Sequence, residues 1–376
     1  MSQKVCFGAG AVRRVGRVLD QLNARRVLVV RGKGSYAASG AERALEPGLH
    51  GRSVEFFSDF RENPRFEDVV RGLAAFTASR CDAVVAVGGG TVLDVAKLLV
   101  GLCTTPDPLA AVQGRAALVG DTVPLVAVPT TAGSGSEATQ FAVVYVDGHK
   151  YSMSAPCLLP GWAVVDPELT YSLSPKHTAV SGIDAFTQAV ESTWSVHSTD
   201  QTRAWSATAM LLAFEHLPAA TSAPTPRVRR AMSKAAHLAG KAINVTRTTA
   251  AHALSYPLTM RYGVPHGQAV CLTLGNLLVF NAATNDAGVA DPRGVAHVQQ
   301  VTAEIIRLLG ARGSGEAGER IRTLIRSVGL ATSLENLGIA HDEGVRHAVD
   351  GVNVERLGNN PRRLSERDLQ ALFDRD

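Results

Sequence analysis

The chain has 376 residues, 45% of them hydrophobic and 19% charged, with a formal net charge of +4 and a pI near 8.9. That length supplies two domains with real cores, and the composition is that of a soluble enzyme, not of a disordered or fibrous chain. No dense basic run marks a nucleic-acid surface, no apolar run approaches the roughly 20 residues of a bilayer span, and Met1–Gly8 carries no secretory pattern. Five scattered cysteines without a Cys-x-x-Cys pair read as buried free thiols in a reducing cytoplasm. The expected partner is a small molecule, with a weak bias toward anions from the mild positive charge.

In chain order, Gly8-Ala9-Gly10 has Arg13 where a dinucleotide fingerprint needs its third glycine. Val27–Arg31 reads as a strand ending in Gly32-Lys33-Gly34, a turn expected near the adenosine of a cofactor. Ala37–Leu45 reads as a helix, Val54–Phe57 as a strand and Phe66–Arg80 as a helix. Ala83–Val87 is a third strand, and Gly88-Gly89-Gly90 follows it and opens a helix that carries Asp94 and Lys97. Glycines there let backbone amides at a helix N-terminus approach a pyrophosphate. Leu125–Val128 is a fourth strand, followed by a second polar loop, Pro129-Thr-Thr-Ala-Gly-Ser-Gly-Ser-Glu137. Its Thr130, Thr131, Ser134 and Ser136 are expected on the nicotinamide side, and Gly32 and Lys150 complete the cofactor set. No ribose-binding carboxylate ends the first strand. Arg31, Gly32 and Lys33 stand there and leave room for a 2′-phosphate, so NADH and NADPH both stay open. Phe141–Val146 and Ala163–Val165 read as further strands, and the alternation predicts an α/β domain with a parallel sheet covered on both faces.

Beyond about Pro175 the strand signals stop. Thr178–Thr193, Thr202–His216, Val228–Ile243 and Ala296–Leu309 read as helices, with Pro218–Pro226 and Gly310–Gly318 as connections. A boundary near Leu173 divides a dinucleotide-binding domain, 1–173, from an all-α metal- and substrate-binding domain, 174–376. Asp184 and Gln188, four apart, share one helix face. His252 and His266 are separated by Pro257, Gly263 and Pro265, which are expected to break the helix and turn the chain back. A carboxylate, an amide oxygen and two imidazoles suit Fe(II) or Zn(II), and with a nucleotide loop this predicts reduction of a carbonyl held on a metal.

Gly88-Gly-Gly-Thr-x-x-Asp94-x-x-Lys97, Pro129–Glu137, Asp166-Pro167-Glu168-Leu169, Asp184 and the His252/His266 pair resemble the iron-containing (group III) alcohol dehydrogenases, nearly end to end from Phe7-Gly8-x-Gly10 to Asn360-Pro361-Arg362. The resemblance implies a dehydroquinate synthase-like architecture, a metal held by Asp184, Gln188, His252 and His266, and a dimer or larger assembly. Two positions depart from the family: Gln188 stands where it has a histidine ligand, and Gly32 where it has the aspartate that often selects NAD. Tyr256 stands in place of a further family histidine, and with Asp184, His252 and His266 it completes the expected catalytic set.

The segment leading to His252 carries Lys241, Asn244, Thr246, Arg247, Thr248 and Thr249 where many members are glycine-rich. A guanidinium and hydroxyls suit a phosphate-like group. Arg247, Thr248 and Thr249, with Lys241 and Arg261 as weaker candidates, are the expected substrate contacts. Together with Ile183–Ala189 and His252–Leu258, this segment resembles the phosphonoacetaldehyde reductase subgroup of phosphonate natural-product biosynthesis. The expected reaction is NAD(P)H-linked reduction of phosphonoacetaldehyde to 2-hydroxyethylphosphonate. The alternatives are reduction of another small aldehyde or ketone, of maleylacetate, or a dehydroquinate-synthase-like lyase.

Overall fold

The computed structural model describes residues 3–118 and 122–374; Met1 and Ser2 of the N-terminal reading lie outside them. The chain divides into two compact units, Met1–Leu173 and Ser174–Asp376. Among the described residues, no helix is long and apolar enough to cross a membrane.

The first unit holds β1 (Lys4–Phe7), β2 (Arg26–Arg31), β3 (Ser53–Phe57), β4 (Ala83–Gly88), β5 (Leu125–Pro129), β6 (Phe141–Val146), β7 (His149–Ser154) and β8 (Trp162–Val165). Six of these form one parallel sheet in the order β1-β8-β5-β4-β2-β3. β4 and β5 are buried along their whole length, which is why they read as unbroken apolar runs instead of alternating ones. β6 and β7 form an antiparallel hairpin around Asp147-Gly148, both at positive φ, the two-residue turn that matches strand twist. Sequence periodicity misses β1 because it has only four residues, and β7 because it is largely polar.

From β2 the chain moves outward to β3, and from β4 it moves the other way to β5. The sheet therefore reverses direction between β2 and β4, where a ligand crevice opens at the carboxyl ends of the strands. Gly32 ends β2 and Gly88–Gly90 end β4, one on each side of that point. Asp166 fixes the neighbouring Gly8–Val12 turn, accepting from Gly10 N at 3.2 Å, Val12 N at 3.0 Å and Glu168 N at 3.0 Å. The expected helix over 37–45 is two pieces, Ser35–Ala38 and Ala41–Leu49, split at Gly40 with φ 77°.

The second unit is helical. Its central helix, Pro175–Trp194, starts at a Ser174 cap with proline at the first position. It is buried on nearly every face from Gly182 onward, as an apolar helix inside a bundle must be. Gly182 is required there, because a Cβ would lie 2.2 Å from Leu217 Cδ1. Asp200–Ser222 and Pro226–Thr246 pack against it. The first of these runs through Pro218, so most of the expected proline-rich connection is helix, and Ser314–Ser327 likewise starts inside the glycine-rich one.

Candidate active site

Three ligand atoms, one each from Asp184, His252 and His266, lie within 4.8 Å of one another. Asp184 Oδ1 is 3.4 Å from His252 Nε2 and 4.0 Å from His266 Nε2. Donors on one tetrahedral ion, each about 2.1 Å from it, stand about 3.4 Å apart, so the spacing suits a bound divalent ion. Asp184 Oδ1 is buried and no hydrogen bond of good geometry reaches it, as expected for an atom meant for a cation. Burial would raise the Asp184 carboxyl, but His252 and His266 outweigh it and hold it below the usual range. Gln188 is buried one turn along the helix, and its Nε2 donates to Asp184 Oδ2 at 3.1 Å.

Two features of the chain bring the imidazoles here. His252 lies in the first turn of helix Ala250–Tyr262. His266 begins helix His266–Cys271, after a turn through Gly263 at φ 66°. Pro257 does not break the helix between them, contrary to the sequence expectation: the helix continues through it. Proline removes the amide that would bond Ala253 O, and that carbonyl instead accepts from Asn353 N at 3.3 Å. Gly267 sets the approach of His266. A Cβ at Gly267 would stand 1.9 Å from Val180 O, one helical turn before Asp184.

Glu191, which the motif reading did not assign, organises the centre. It is fully buried, seven residues after Asp184 and three after Gln188, on the same helix face. Its Oε2 bonds His252 Nδ1 in a short contact. That bond fixes the tautomer and aims Nε2 at Asp184, as outer carboxylates do for metal-bound histidines. Its Oε1 accepts from Thr249 N at 3.2 Å, Thr249 Oγ1 at 2.7 Å and Ala251 N at 2.9 Å, and so caps the first turn of the His252 helix. Burial favours a neutral His252, but Glu191 and Asp184 outweigh it and push the ring up to about 9.

The expected substrate contacts separate. Thr249 is buried, donating to Glu191 and accepting from Trp194 Nε1 at 3.0 Å, so it supports His252 instead of facing a substrate. Arg247 Nη1 sits 3.0 Å from the exposed Glu355 carboxylate. Lys241 Nζ lies 4.1 Å over the Trp205 ring, and Arg261 is exposed in the last turn of its helix. Arg247 and Lys241 are thus each engaged by a partner on their own surface. Tyr256 stays with the cluster. Its ring stacks on His266 at 5.8 Å and 14°. Burial pushes its phenol up, against the opposing pull of Arg356 and Thr248.

In the first unit, Gly88–Gly90 and the Pro129–Glu137 loop meet. A Cβ on Gly90 would stand 3.0 Å from Ser134 Oγ, and one on Gly89 3.3 Å from Thr131 Cγ2. Gly88 is needed for packing, since a Cβ there would be 2.3 Å from Val92 Cγ2. Gly89 caps the helix Gly90–Leu102 without a side-chain bond, which suits an anion at its amides. Asp94 and Lys97 lie beneath these loops. Lys97 is fully buried and donates to Ser136 Oγ at 2.8 Å, Thr139 Oγ1 at 2.9 Å and Phe141 O at 2.8 Å. An ammonium has three N–H bonds, so the expectation that Lys97 touches cofactor is corrected: it braces the loop. Asp94 does the same through Ser136 Oγ at 2.7 Å and Val143 N at 3.1 Å. Burial brings Lys97 down to about 8, against the pull of Asp94 and Glu137. Thr130 is buried, Thr131 and Ser134 are partly exposed at the loop, and Lys150 on β7 acts electrostatically on Asp94.

Parallel sheet, glycine loops and a His–His–Asp cluster define a class. Two sequence families match, iron-containing alcohol dehydrogenase over residues 2–167 and its Fe-containing C-terminal counterpart over residues 178–376. The chain belongs to the iron-containing alcohol dehydrogenase family and is a nicotinamide-linked oxidoreductase. The motif resemblance is thereby met. Among particular relatives, the phosphonoacetaldehyde reductase of Streptomyces viridochromogenes is 39% identical over 323 residues, covering 83% of this chain and 80% of the relative. The sulfoacetaldehyde reductase of Bilophila wadsworthia is 26% identical, covering 99% and 97%. A solved structure of sulfoacetaldehyde reductase from Bifidobacterium kashiwanohense in complex with NAD+ is similar with a TM-score of 0.87 at 29% identity, covering 99% and 96%.

Proposed function

We propose that this protein reduces phosphonoacetaldehyde to 2-hydroxyethylphosphonate with NADH or NADPH, as part of phosphonate natural-product biosynthesis. The observation that carries aldehyde reduction is the Asp184–His252–His266 cluster, with both Nε2 atoms facing one buried carboxylate oxygen. The substrate follows from the 39% identity to a phosphonoacetaldehyde reductase. Likeness to sulfoacetaldehyde reductases supports the same shape, a two-carbon aldehyde bearing a tetrahedral anion.

Asp184, His252 and His266 would hold a divalent ion, Fe(II) or Zn(II), with Gln188 beside them. When bound, such an ion supplies Lewis acidity toward a carbonyl oxygen, and the reduced nicotinamide supplies hydride. The protein's own residues prepare both. Glu191 keeps His252 in the tautomer that leaves Nε2 available. The amides of Gly89 and Gly90 face a pyrophosphate, and Asp94 and Lys97 hold the Ser136 loop in shape. Each turnover consumes one aldehyde, one reduced nicotinamide and one proton, and yields alcohol and oxidised cofactor. Gly32 leaves the ribose without a carboxylate partner, and Arg31 beside it lies 5.1 Å from the Tyr36 ring and 5.0 Å from Phe56, which favours tolerance of a 2′-phosphate.

The test is a panel of carbonyls assayed with NADH and NADPH on protein of measured metal content. Phosphonoacetaldehyde should give the highest kcat/KM, and removal of metal by a chelator should abolish turnover until metal is restored. His266→Ala should lose metal and turnover while still binding cofactor. A preference for neutral aldehydes or maleylacetate, or conversion of a substrate without net cofactor oxidation, would replace this reading with one of the alternatives.

A further inference from the structure

Lys97 sits among three oxygens that have no hydrogen to give it. Its Nζ donates to Ser136 Oγ, Thr139 Oγ1 and Phe141 O at 2.8, 2.9 and 2.8 Å. The Ser136 hydroxyl spends its own hydrogen on Asp94 Oδ1 at 2.7 Å. The Thr139 hydroxyl points its hydrogen at Ser136 O, 3.3 Å away. Phe141 O is a carbonyl and can only accept. All three neighbours are therefore acceptors toward Nζ, and three acceptors need three N–H bonds. The ammonium has them; a neutral amine has two and a lone pair. Loss of one proton sets that lone pair against an oxygen, or forces a hydroxyl to turn its hydrogen onto Nζ and let go of Asp94 or of Ser136 O.

The consequence reaches the cofactor loops. Ser136 N donates to Ser134 Oγ at 3.3 Å, and Ser134 Oγ is the atom that a Cβ on Gly90 would meet at 3.0 Å. A buried polar group that loses its partner is costly, so the Ser136 turn keeps one shape while the hydrogen count is complete. Burial brings Lys97 down to about 8, against Asp94 from its own helix and Glu137 from the loop, which both favour the charge. Lys150 on β7 bears on Asp94. β4, β5 and β6 pack on that helix without a charged side chain. β2 carries Arg26, beside Asp82, and Arg31, against Tyr36 and Phe56. On helix Phe66–Ser79 the buried acid, Asp68, is paired with Arg61 and Arg71.

We infer that Lys97 is a proton-operated latch: the Pro129–Glu137 loop keeps its cofactor-binding shape while Lys97 is the ammonium, and slackens when that proton leaves. By linkage, bound cofactor then tightens the hold of Lys97 on its proton, and binding draws a proton from solution. Affinity is full below about 8 and falls as pH rises through that value. The inference rests on the reading that the Gly88–Gly90 and Pro129–Glu137 loops hold the nicotinamide cofactor, not on the identity of the aldehyde.

NADH alone, with no aldehyde, is titrated into wild type, Lys97→Met and Thr139→Val by calorimetry between about pH 7 and 10, in two buffers of different ionisation enthalpy. Wild-type affinity should fall by about tenfold across that range, the low end for a lost charged hydrogen bond. Binding should take up a fraction of a proton, greatest slightly above about 8. Lys97→Met should bind at the weak, high-pH level throughout, without that uptake. Thr139→Val leaves two acceptors for two N–H bonds, so the neutral amine fits and the slope with pH should flatten. Wild-type affinity that is flat with pH, or a slope and proton uptake that persist in Lys97→Met, would overturn the latch. A slope in Thr139→Val as steep as in wild type would overturn the hydrogen count behind it. Should Lys97→Met fail to fold, wild type and Thr139→Val still decide. The two readings fail differently. NADH affinity that neither variant changes at any pH removes the loops from the cofactor, whereas weak binding by Lys97→Met beside a flat wild type removes the latch alone.

Discussion

The glycine loops of the first unit and the imidazole cluster of the second both carry family motifs, yet their motif residues do opposite work. In the first, Asp94 and Lys97 are saturated by Ser136, Thr139, Phe141 and Val143. Lys97 has no donor left to offer and Asp94 is committed to the loop, so it falls to the backbone amides and the partly exposed Thr131 and Ser134 to meet a ligand. In the second, the motif residues face one another, and the saturated group is Glu191 behind them. Recurrence of a charged residue in a motif therefore does not separate ligand from brace. Counting donors against acceptors does.

The largest effect that would test this contrast is on Gly267. A Cβ there meets the Val180 carbonyl, and backbone cannot move aside as a flexible side chain can. Gly267→Ala should displace His266 and reduce metal affinity by well over tenfold, as misplaced ligands do, while cofactor binding stays near normal. Metal content after dialysis against a graded chelator series reads this out, and unchanged affinity would show that the close approach does not position His266.

Next is Glu191→Gln, which keeps shape but removes charge. Loss of an outer-sphere partner costs about 10- to 100-fold in metal affinity. The pH dependence sharpens the point. Metal needs the Nε2 lone pair, and in metal-free protein His252 holds a proton up to about 9, so wild-type affinity should climb as pH rises toward that value and then level. Glu191→Gln should level at a lower pH. The sign for stability is opposite: a raised imidazole stabilises the metal-free fold fully below its ordinary value of about 6.5 and loses that contribution as pH rises through about 9. Affinity independent of pH between 6 and 9 would remove Glu191 from this role.

The smallest effect belongs to Lys97→Met, which frees the Ser136 and Thr139 hydroxyls and should slacken the loop. Cofactor affinity should fall by about tenfold, the low end of what a lost charged hydrogen bond costs because Lys97 acts through the loop, with metal content unchanged. Loss of more than a thousandfold would mean that Lys97 touches the cofactor directly.

Sequence reading reached the fold where burial is uniform. All six expected strands lie within a residue of the observed ones: β2, β4, β5, β6 and β8 are apolar and bounded by turns, and β3 differs only by its first residue. It missed β1 and β7, whose partners, not their composition, make them strands. In the candidate site, Asp184, His252 and His266 were legible because ligand types recur at family spacing. Glu191 was within reach, sharing a helix face with Asp184 and Gln188, but a buried glutamate has no spacing rule of its own. Arg356, whose charge bears on the Tyr256 phenol, was not legible at all. It lies a hundred residues from Tyr256, and its placement depends on Asn353 N meeting the carbonyl that Pro257 releases and on Asn359 Nδ2 donating to Thr248 O. Arg247 attracted the assignment because it is near His252 in sequence, whereas a surface carboxylate claims it in space.

Pro257 is usually counted as a defect in a helix. Here the unsatisfied carbonyl it creates serves as a socket into which a distant strand of chain is plugged. The helix surrenders part of its cohesion, and in exchange the piece bearing Arg356 is docked at a set depth. One carbonyl thus ties two parts of the chain a hundred residues apart, and the cap that Asn353 places on Val354–Leu357 starts from that same joint.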